Sequence, residues 1–569
     1  MQEALETRAM KLYIIFFLAV VKKETSNYQL SEGTPCEMAN SQAFCHNKDL
    51  HQIPRELHPN VNKIDLSGNL IKSIPEMSLS FYPSLQCLDL SSNQISFITP
   101  GVFAHMNSLL EINLANNHLY ELAQNGTEGI GLLPKVEILD LSHNSLYNGM
   151  AEYFIKEAPA LQYLSLADNS IIMISQKMFQ GSPNLVEIDL QSNIIMEIEE
   201  GAFETLVSLS KLNLSRNSIT CISDFNLRQL EILDLSRNSI ETFHTTKSDD
   251  EYRLRYLDLS ENKLFHFPVF PQNLLLDAGV LSNLKELYIQ NNYLQTLQFD
   301  IFSNLPSLRL LNLQSNNISL CSMYSGLAKQ RLAGEESGCV SFVGSPTLQY
   351  LYLADNMLKI LPAYSFYKTP LVVLDLSMNP GLKIELKALS GLEKSLECLY
   401  LYGNRLIDLN IDLPCFSHLK HLNLSENQLS WLPKWGSDSP LEVLDLRNNR
   451  FSTLQNSNIL ALENSLKNLY LTGNPLNCCG NIWLSSMIQN KNVQIPNVEY
   501  LMCQHTQNFG YKDEMHIRNI RPEDCEKEDL KKINFLIILT LVLVLSVIII
   551  GVGSFFCFRR RNFTHQFKA

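Results

Sequence analysis

One nine-residue pattern recurs along most of the chain and restricts its possible folds more than any other feature. The pattern L-x-x-L-x-L-x-x-N, with other apolar residues allowed at the L positions, occurs at 61–69 (VNKIDLSGN), 85–93 (LQCLDLSSN) and 161–169 (LQYLSLADN). Its last residue returns mostly 21–27 residues apart, at Asn69, Asn93, Asn117, Asn144, Asn169, Asn193, Asn217, Asn238, Asn262, Asn292, Asn316, Asn356, Asn379, Asn404, Asn427, Asn449 and Asn474. Because these units keep phase, they predict seventeen leucine-rich repeats over 61–474, which form an α/β solenoid shaped as a horseshoe.

The repeated positions are expected to be structural. Leucines such as Leu88 and Leu90 should point inward from a short strand, and the strands should stack in parallel. The asparagine amide should satisfy backbone groups where the chain leaves the strand. A phenylalanine ten residues after several asparagines should fill the convex side, at Phe103, Phe179, Phe203, Phe302 and Phe366.

Cysteines flank the repeats at both ends and interrupt them once. Cys36 and Cys45 lie in a predicted N-terminal cap, 25–60, and are expected to form a disulfide because a solenoid must cover its apolar ends. The predicted C-terminal cap, 475–526, holds four cysteines that imply two disulfides with the pairing left open: Cys478, Cys479, Cys503 and Cys525.

The repeat spacing lengthens twice. It breaks near 266–280 and again near 321–345, where two repeat asparagines are 40 residues apart. Cys321 and Cys339 lie in the second insertion and are expected to close it as a disulfide. Such breaks are expected to change the curvature of the solenoid and to divide it into subregions.

The two ends of the chain predict a secreted ectodomain on a membrane anchor. Residues 1–24 resemble a signal peptide, with an apolar run too short to span a bilayer. Residues 535–558 are uncharged and predict one transmembrane helix. The arginines that follow place the tail, 559–569, in the cytoplasm. The prediction is a single-pass type I protein of the plasma membrane, whose tail is too short for a signalling domain.

Four sequons precede the membrane segment and predict N-linked glycans. They begin at Asn125, Asn213, Asn317 and Asn423. Asn213 and Asn423 occupy the fifth position of their repeats, which is expected to face the concave surface. A glycan there would direct partners toward the rims or the convex side.

Four further cysteines before the membrane segment remain unassigned: Cys87, Cys221, Cys398 and Cys415. For any one of them, an inert buried thiol is the expected state, and Cys415 in particular is expected to be buried. Cys87 and Cys398 occupy the third position of their strands and should face the concave surface. Four unassigned cysteines together favour at least one bond to another protein.

Five segments stand out: NSITCISDF at 217–225 and ENKLFHFP at 261–268 within the repeats, and NPLNCCGN at 474–481, IRPEDCEK at 520–527 and NFTHQFKA at 562–569, which are not general repeat consensus. Together they resemble the GARP (glycoprotein-A-repetitions-predominant protein) family of leucine-rich-repeat receptors, which display latent TGF-beta. The sister receptor NRROS is the nearest similar family.

The resemblance implies a role for one cysteine. In the family, a cysteine in the context TCISDF forms a disulfide with the prodomain of latent TGF-beta, and Cys221 stands at that position. The family uses a second such cysteine, in a block of repeats with no counterpart here; the join falls near Pro268–Ala278. The resemblance further implies that an integrin acts on the bound prodomain to activate the growth factor.

Other classes of function fit the sequence less well. A net charge of −13 argues against nucleic acid as a partner. No H-E-x-x-H or P-loop spacing is present, and no enzyme activity, metal or cofactor is expected. The aspartates of the recurring LDLS units are interpreted as solvated residues of the strand face. A Toll-like pattern-recognition receptor or an adhesion receptor is the alternative, although a Toll-like receptor would require a signalling domain.

Overall fold

The computed structural model describes residues 29–30, 36–120, 129–245, 251–268, 281–295, 297, 305–320, 342, 345–436, 438–462, 464–490, 493–506, 512–521, 523, 525 and 536–554. The chain divides into two compact units. The first runs to Leu294 and includes 305–310; the second includes Gln295 and continues from Leu311. The strand Leu310–Asn312 contains the point of division.

The first unit is mainly a stack of parallel three-residue strands, each followed by a turn and by a segment that leads to the next strand. Its first three strands pair antiparallel and cover its start, and the third of them continues in parallel into the ladder. The strands, in order, are Gln29–Leu30, Glu37–Ala39, Gln42–Phe44, Lys63–Asp65, Cys87–Asp89, Glu111–Asn113, Ile138–Asp140, Tyr163–Ser165, Glu187–Asp189, Lys211–Asn213, Ile232–Asp234, Tyr256–Asp258 and Glu286–Tyr288.

A second set of short parallel strands lies after the asparagine turns of the first unit. They pair as Ser73–Ile74 with Phe97–Ile98, Met173–Ile174 with Glu197–Ile198, and Cys221–Phe225 with Thr242–Thr245. One repeat instead contains an α-helix, Asn148–Ile155, whose Met150 and Ile155 are fully buried.

The second unit repeats this arrangement. Its main strands are Tyr350–Tyr352, Val373–Asp375, Cys398–Tyr400, His421–Asn423, Val443–Asp445 and Asn468–Tyr470, and Ile360–Leu361 pairs with Lys383–Ile384 outside them. The other elements are the helices Asn456–Leu460 and Trp483–Asn490, the 3-10 turns Leu413–Cys415, Cys479–Asn481, Val498–Tyr500 and Ile517–Asn519, and the hairpin Met502–Thr506 with Lys512–His516.

Alternation along each strand separates the core from the exposed face. In the strand Cys87–Asp89 the central Leu88 is buried, whereas its two neighbours are half-buried on the opposite face. Successive side chains of a strand point to opposite sides, so one leucine per strand enters the core. Leu90, the next inward residue, is also fully buried. The inward positions predicted from the repeat are therefore confirmed.

The recurring asparagine joins neighbouring repeats through its side-chain amide. The Nδ2 atom of Asn93 donates to the carbonyl oxygens of Leu66, Leu90 and Ser91 at 3.0–3.1 Å. Its Oδ1 atom accepts the backbone N–H of Ile71 at 3.1 Å. Four backbone groups that would otherwise be buried without partners are thus satisfied by one side chain, as predicted.

The recurring phenylalanines are buried as predicted wherever they are described: Phe103, Phe179, Phe203 and Phe366. The rings of Phe179 and Phe203 stack with centroids 5.6 Å apart, so this contact also joins consecutive repeats. Phe302 lies outside the described residues.

The described residues contain one helix, Leu536–Ser554, that is long and apolar enough to cross a membrane by length and composition. This agrees with a single-pass membrane protein. Together with the stacked repeats and their disulfides, it confirms the predicted class, a disulfide-capped leucine-rich-repeat solenoid with one transmembrane helix.

Candidate functional site

The segment around Cys221 forms an extended strand on the outside of the first unit. The strand Cys221–Phe225 runs parallel to Thr242–Thr245, with Cys221 opposite Thr242 and Ile222 opposite Phe243. Other strand pairs in this layer of the unit contain two residues per strand, whereas these contain five and four. The cysteine backbone is therefore held by a longer ladder than the equivalent residues of the neighbouring repeats.

Buried residues on the second strand, and before both strands, support this ladder from below. Phe243 and Thr245 point inward and are 1% and 4% exposed, and Ile219 and Ile240 precede the strands in the core. The register shifts between Ile222 and Phe225, which is typical of a β-bulge. Cys221 is thus the first residue of the strand, at the end of the ladder where the pairing with Thr242 begins.

The thiol of Cys221 is exposed and unbridged. Its Sγ atom lies 3.1 Å from the Oγ1 atom of Thr242, and either atom could be the donor. Thr242 is the residue that sequence analysis did not single out. A signal existed, because Cys221 follows Asn217 by four residues and Thr242 follows Asn238 by four, which places them side by side in consecutive repeats.

Cys87 and Cys398 lie on the exposed face of the main strands but are only half-exposed. Burial and, to a smaller extent, the carboxylate of Glu111 on the next strand raise the pKa of the Cys87 thiol to about 11. Burial likewise raises the pKa of the Cys398 thiol. A thiol must ionise to attack a disulfide, so a raised pKa makes Cys87 and Cys398 less reactive in thiol–disulfide exchange than an ordinary cysteine.

Cys415 is exposed, and the expectation that it would be buried is wrong. It ends the 3-10 turn Leu413–Cys415, in which residues three apart share a face. Leu413 and Phe416 take the inward face, so the cysteine points away from the core. Its Sγ atom donates to the Oδ2 atom of Asp412 at 3.1 Å, and this hydrogen bond raises the pKa of the Cys415 thiol.

The cysteines of the two caps are paired. Cys36 is joined to Cys45, Cys478 to Cys503, and Cys479 to Cys525. The pairing in the C-terminal cap, which sequence analysis left open, therefore joins the first cysteine to the third and the second to the fourth. Cys321 and Cys339 lie outside the described residues.

The sequon asparagines differ in their surroundings. Asn317 is exposed, whereas Asn213 and Asn423 are half-buried on the strand face. The Oδ1 atoms of Asn213 and Asn423 accept hydrogen bonds from the backbone N–H and the hydroxyl of the sequon serine, two residues on. Asn125 lies outside the described residues.

The aspartates of the strand face are less solvated than expected. Asp375 is 1% exposed, so the interpretation as a solvated residue is wrong for it. Asp234 and Asp258 stand opposite each other on neighbouring strands. Burial and the nearby Asp234 raise the pKa of Asp258 to about 7, and burial also raises that of Asp234. Tyr256 donates to the Oδ2 atom of Asp258 at 3.2 Å.

Among the described residues, no three His, Cys, Asp or Glu side chains come together in a way that could hold a metal ion. The arrangement around Cys221 offers thiol chemistry. It presents one accessible thiol at a fixed position, which can form a covalent bond with a partner cysteine that reaches it in the narrow geometry a disulfide requires.

Comparison with protein families finds the leucine rich repeat. A model of this repeat matches residues 59–119, 134–195, 159–219 and 281–329, and a second model of the repeat matches 418–437. These matches include the strand Lys211–Asn213 and the turn that precedes Cys221.

Comparison with individual proteins finds relatives of nearly the same extent. The transforming growth factor beta activator LRRC32 of Mus musculus is 38% identical over 98% of this chain and 99% of its own length. The protein of that name from Pongo abelii is 39% identical over 95% of this chain and 97% of its own. The transforming growth factor beta activator LRRC33 of Danio rerio is 26% identical over 82% of this chain and 85% of its own.

Proposed function

The chain belongs to the family of the transforming growth factor beta activator LRRC32, and from this we propose that it binds latent TGF-beta and presents it for activation. Its proposed partner is the prodomain of the latent precursor. The exposed thiol of Cys221, at the start of the longest strand pair described in its layer, is the observation that supports a covalent contact.

The proposed bond is a disulfide between the Sγ atoms of Cys221 and a prodomain cysteine. The Cys221 thiolate attacks a disulfide in which the prodomain sulfur is already engaged with a small or protein thiol. The new S–S bond forms as the old one breaks, and the leaving thiolate takes up a proton. The oxidising compartment that forms the cap disulfides would also supply this mixed disulfide.

We propose that each chain forms one covalent contact, because the block of repeats that holds the family's second cysteine has no counterpart here. The alignment with the mouse relative extends over 670 positions, whereas this chain has 569 residues, so it contains gaps opposite residues that are missing here. Cys221 is the site proposed for the bond, and shape and polar contacts of the repeats would supply the remaining affinity.

Anchoring explains how binding would lead to activation. In the proposed orientation the repeats are extracellular at the plasma membrane, and the helix Leu536–Ser554 crosses it. Holding the precursor at the surface raises its effective concentration there. It also gives a fixed point against which an integrin on another cell could pull the prodomain. The chain would act by binding alone, with no catalytic step.

Co-expression of the full-length chain with the latent TGF-beta precursor tests this function. Surface protein is captured under native conditions, and active growth factor is measured with reporter cells beside integrin-bearing cells. The proposal predicts surface precursor and integrin-dependent signalling. The Cys221→Ser variant should retain less precursor and signal less, whereas Cys415→Ser, which removes another exposed thiol, should match the wild type. Surface protein that never captures the precursor would contradict the proposal.

A further inference from the structure

A basic and aromatic surface covers two consecutive repeats of the second unit, away from the main strand face. It consists of Lys359, Tyr364, Tyr367, Lys368, Lys383 and Lys387, called the lysine–tyrosine patch here, and all six residues are exposed. Neither the proposed TGF-beta contact nor the repeat pattern explains it.

Backbone contacts fix the members of the patch beside one another. The backbone N–H of Lys383 donates to the carbonyl oxygen of Lys359 at 2.9 Å, and that of Tyr364 donates to the carbonyl oxygen of Lys387 at 2.9 Å. The Tyr364 and Tyr367 rings meet edge to face with centroids 5.9 Å apart. The Nζ atom of Lys368 lies 5.6 Å from the centroid of the Tyr367 ring.

The positive charge of the patch is only partly offset by the carboxylates beside it, of which Glu385 stands between Lys383 and Lys387. Within the described part of the chain, none of its four lysines forms an ion pair. The nearby carboxylates of Glu385 and Glu393 accept the backbone N–H groups of Ala363 and Gly391 at 3.2 and 2.7 Å. The chain as a whole carries a net charge of −13, so a local excess of lysine requires its own explanation.

Apolar groups lie exposed between the charges. Tyr364 and Tyr367 are 46% and 44% exposed, and Leu386, beside Lys387, is 71% exposed. A surface that combines flat apolar rings with unpaired ammonium groups suits a ligand that is anionic along its edge and has C–H groups on its faces.

We propose that the lysine–tyrosine patch binds a sulfated polysaccharide of the heparan sulfate class. The four ammonium groups would contact sulfate and carboxylate groups of successive sugars, while the tyrosine rings pack against the C–H faces of the sugar rings. Lysine charges on flexible stems suit the irregular sulfation of such chains, because they accept an anion without demanding one planar geometry. The ligand is extracellular, on the side of the membrane proposed for the repeats.

The direct test is the affinity of the full-length protein in detergent for immobilised heparin, with fully desulfated heparin as the comparison. The patch variant is Lys368→Gln/Lys383→Gln/Lys387→Gln. The control variant, Lys72→Gln/Lys135→Gln/Lys263→Gln, removes the same charge from exposed lysines of the first unit. Thermal unfolding of each variant establishes that it is folded.

The expected result is binding to heparin at physiological salt, with no binding to the desulfated form. The patch variant should bind at least tenfold more weakly, and its dependence of log Kd on log salt should be shallower by about 2, at roughly 0.7 per lost contact. Tyr364→Ala/Tyr367→Ala should weaken binding with little change in this slope. Equal loss in the patch and control variants, or no binding by the wild type, would overturn the proposal. A patch variant that keeps its affinity for heparin but loses affinity for an acidic protein would also overturn it.

Discussion

The Sγ atom of Cys221 lies 3.1 Å from the Oγ1 atom of Thr242, across two strands that belong to consecutive repeats. The contact shows how a periodic fold can place a reactive group. Each repeat sets the position of its own residue, and the ladder sets the distance to the next. The thiol is consequently exposed but fixed, and a partner need not order it on binding.

The thiols should differ sharply in their reaction with iodoacetamide. At pH 7.4, Cys221 should be modified much faster than Cys87, since a thiol of pKa about 11 is ionised in roughly one molecule in several thousand. Labelling of Cys87 should rise about tenfold per pH unit between pH 7 and 10. Peptide mass spectrometry of the native full-length protein measures both. Equal rates at pH 7.4 would contradict the half-buried environment assigned to Cys87.

The asparagine ladder predicts a large difference between two adjacent substitutions. Asn117→Asp should lower stability by about 3 kcal/mol or more, because its Nδ2 atom donates to three carbonyl oxygens, which a carboxylate would repel. Asn116→Asp, the same chemical change at an exposed site, should stay within about 0.5 kcal/mol. Urea unfolding monitored by circular dichroism gives both values. Similar midpoints for the two variants would argue against a structural role for the ladder.

Periodicity predicted the parts of the fold that every repeat shares. Leu88 fills the core and Asn93 satisfies buried backbone groups of neighbouring repeats, and every repeat has both requirements. Features that depend on one local turn were missed. Cys415 is exposed because Leu413 and Phe416 share the inward face of a 3-10 turn, a register that the longer repeat pattern does not specify.

The candidate site was predictable in part. The segment TCISDF identified Cys221, but that inference depended on a resemblance and not on the repeat chemistry. The spacing from the repeat asparagines could have placed Thr242 beside Cys221, but the five-residue length of the strand is not predicted by the two-residue strands of other repeats. The raised pKa of Asp258 also depends on the burial of its carboxyl group, which the LDLS motif does not predict.

The pair Asp234 and Asp258 should make stability depend on pH. The pKa of Asp258 is about 7 in the folded chain, against about 4 in the unfolded chain, so the folded state binds its proton more tightly. This contribution is complete below pH 4 and is lost as the pH rises through 7. Asp258→Asn should therefore be more stable than wild type at pH 8, by up to about 4 kcal/mol for a pKa difference of about 3 between the two states, with a smaller advantage at pH 5.

Asp258→Asn should keep the hydrogen bond from the backbone N–H of Ser260. An asparagine at the same repeat position, Asn213, accepts the equivalent backbone N–H of Ser215. Asp189→Asn is the matched control, since its neighbours in register are Ser165 and Asn213, which carry no carboxylate. Thermal unfolding at pH 5 and pH 8 gives the comparison. A stability difference for Asp258→Asn that does not change with pH would show that the carboxyl titrates normally.

The four sequons are expected to carry glycans when the chain passes through the secretory pathway. Each serine or threonine that completes a sequon is changed to alanine singly, and the mass lost on treatment with a peptide N-glycosidase is compared with the wild type. Ser319→Ala should remove one glycan from the exposed Asn317. Retention of the full glycan mass by Ser215→Ala or Ser425→Ala would show that the half-buried Asn213 or Asn423 is unmodified.

The most direct measurement of the central claim is the mass of surface complexes on gels run with and without reductant. Cells co-express the latent TGF-beta precursor with wild type, Cys221→Ser or Cys415→Ser, and surface protein is labelled before lysis. We expect a high-mass adduct in the wild type and in Cys415→Ser that disappears on reduction, and no adduct in Cys221→Ser. An adduct of unchanged amount in Cys221→Ser would contradict the account.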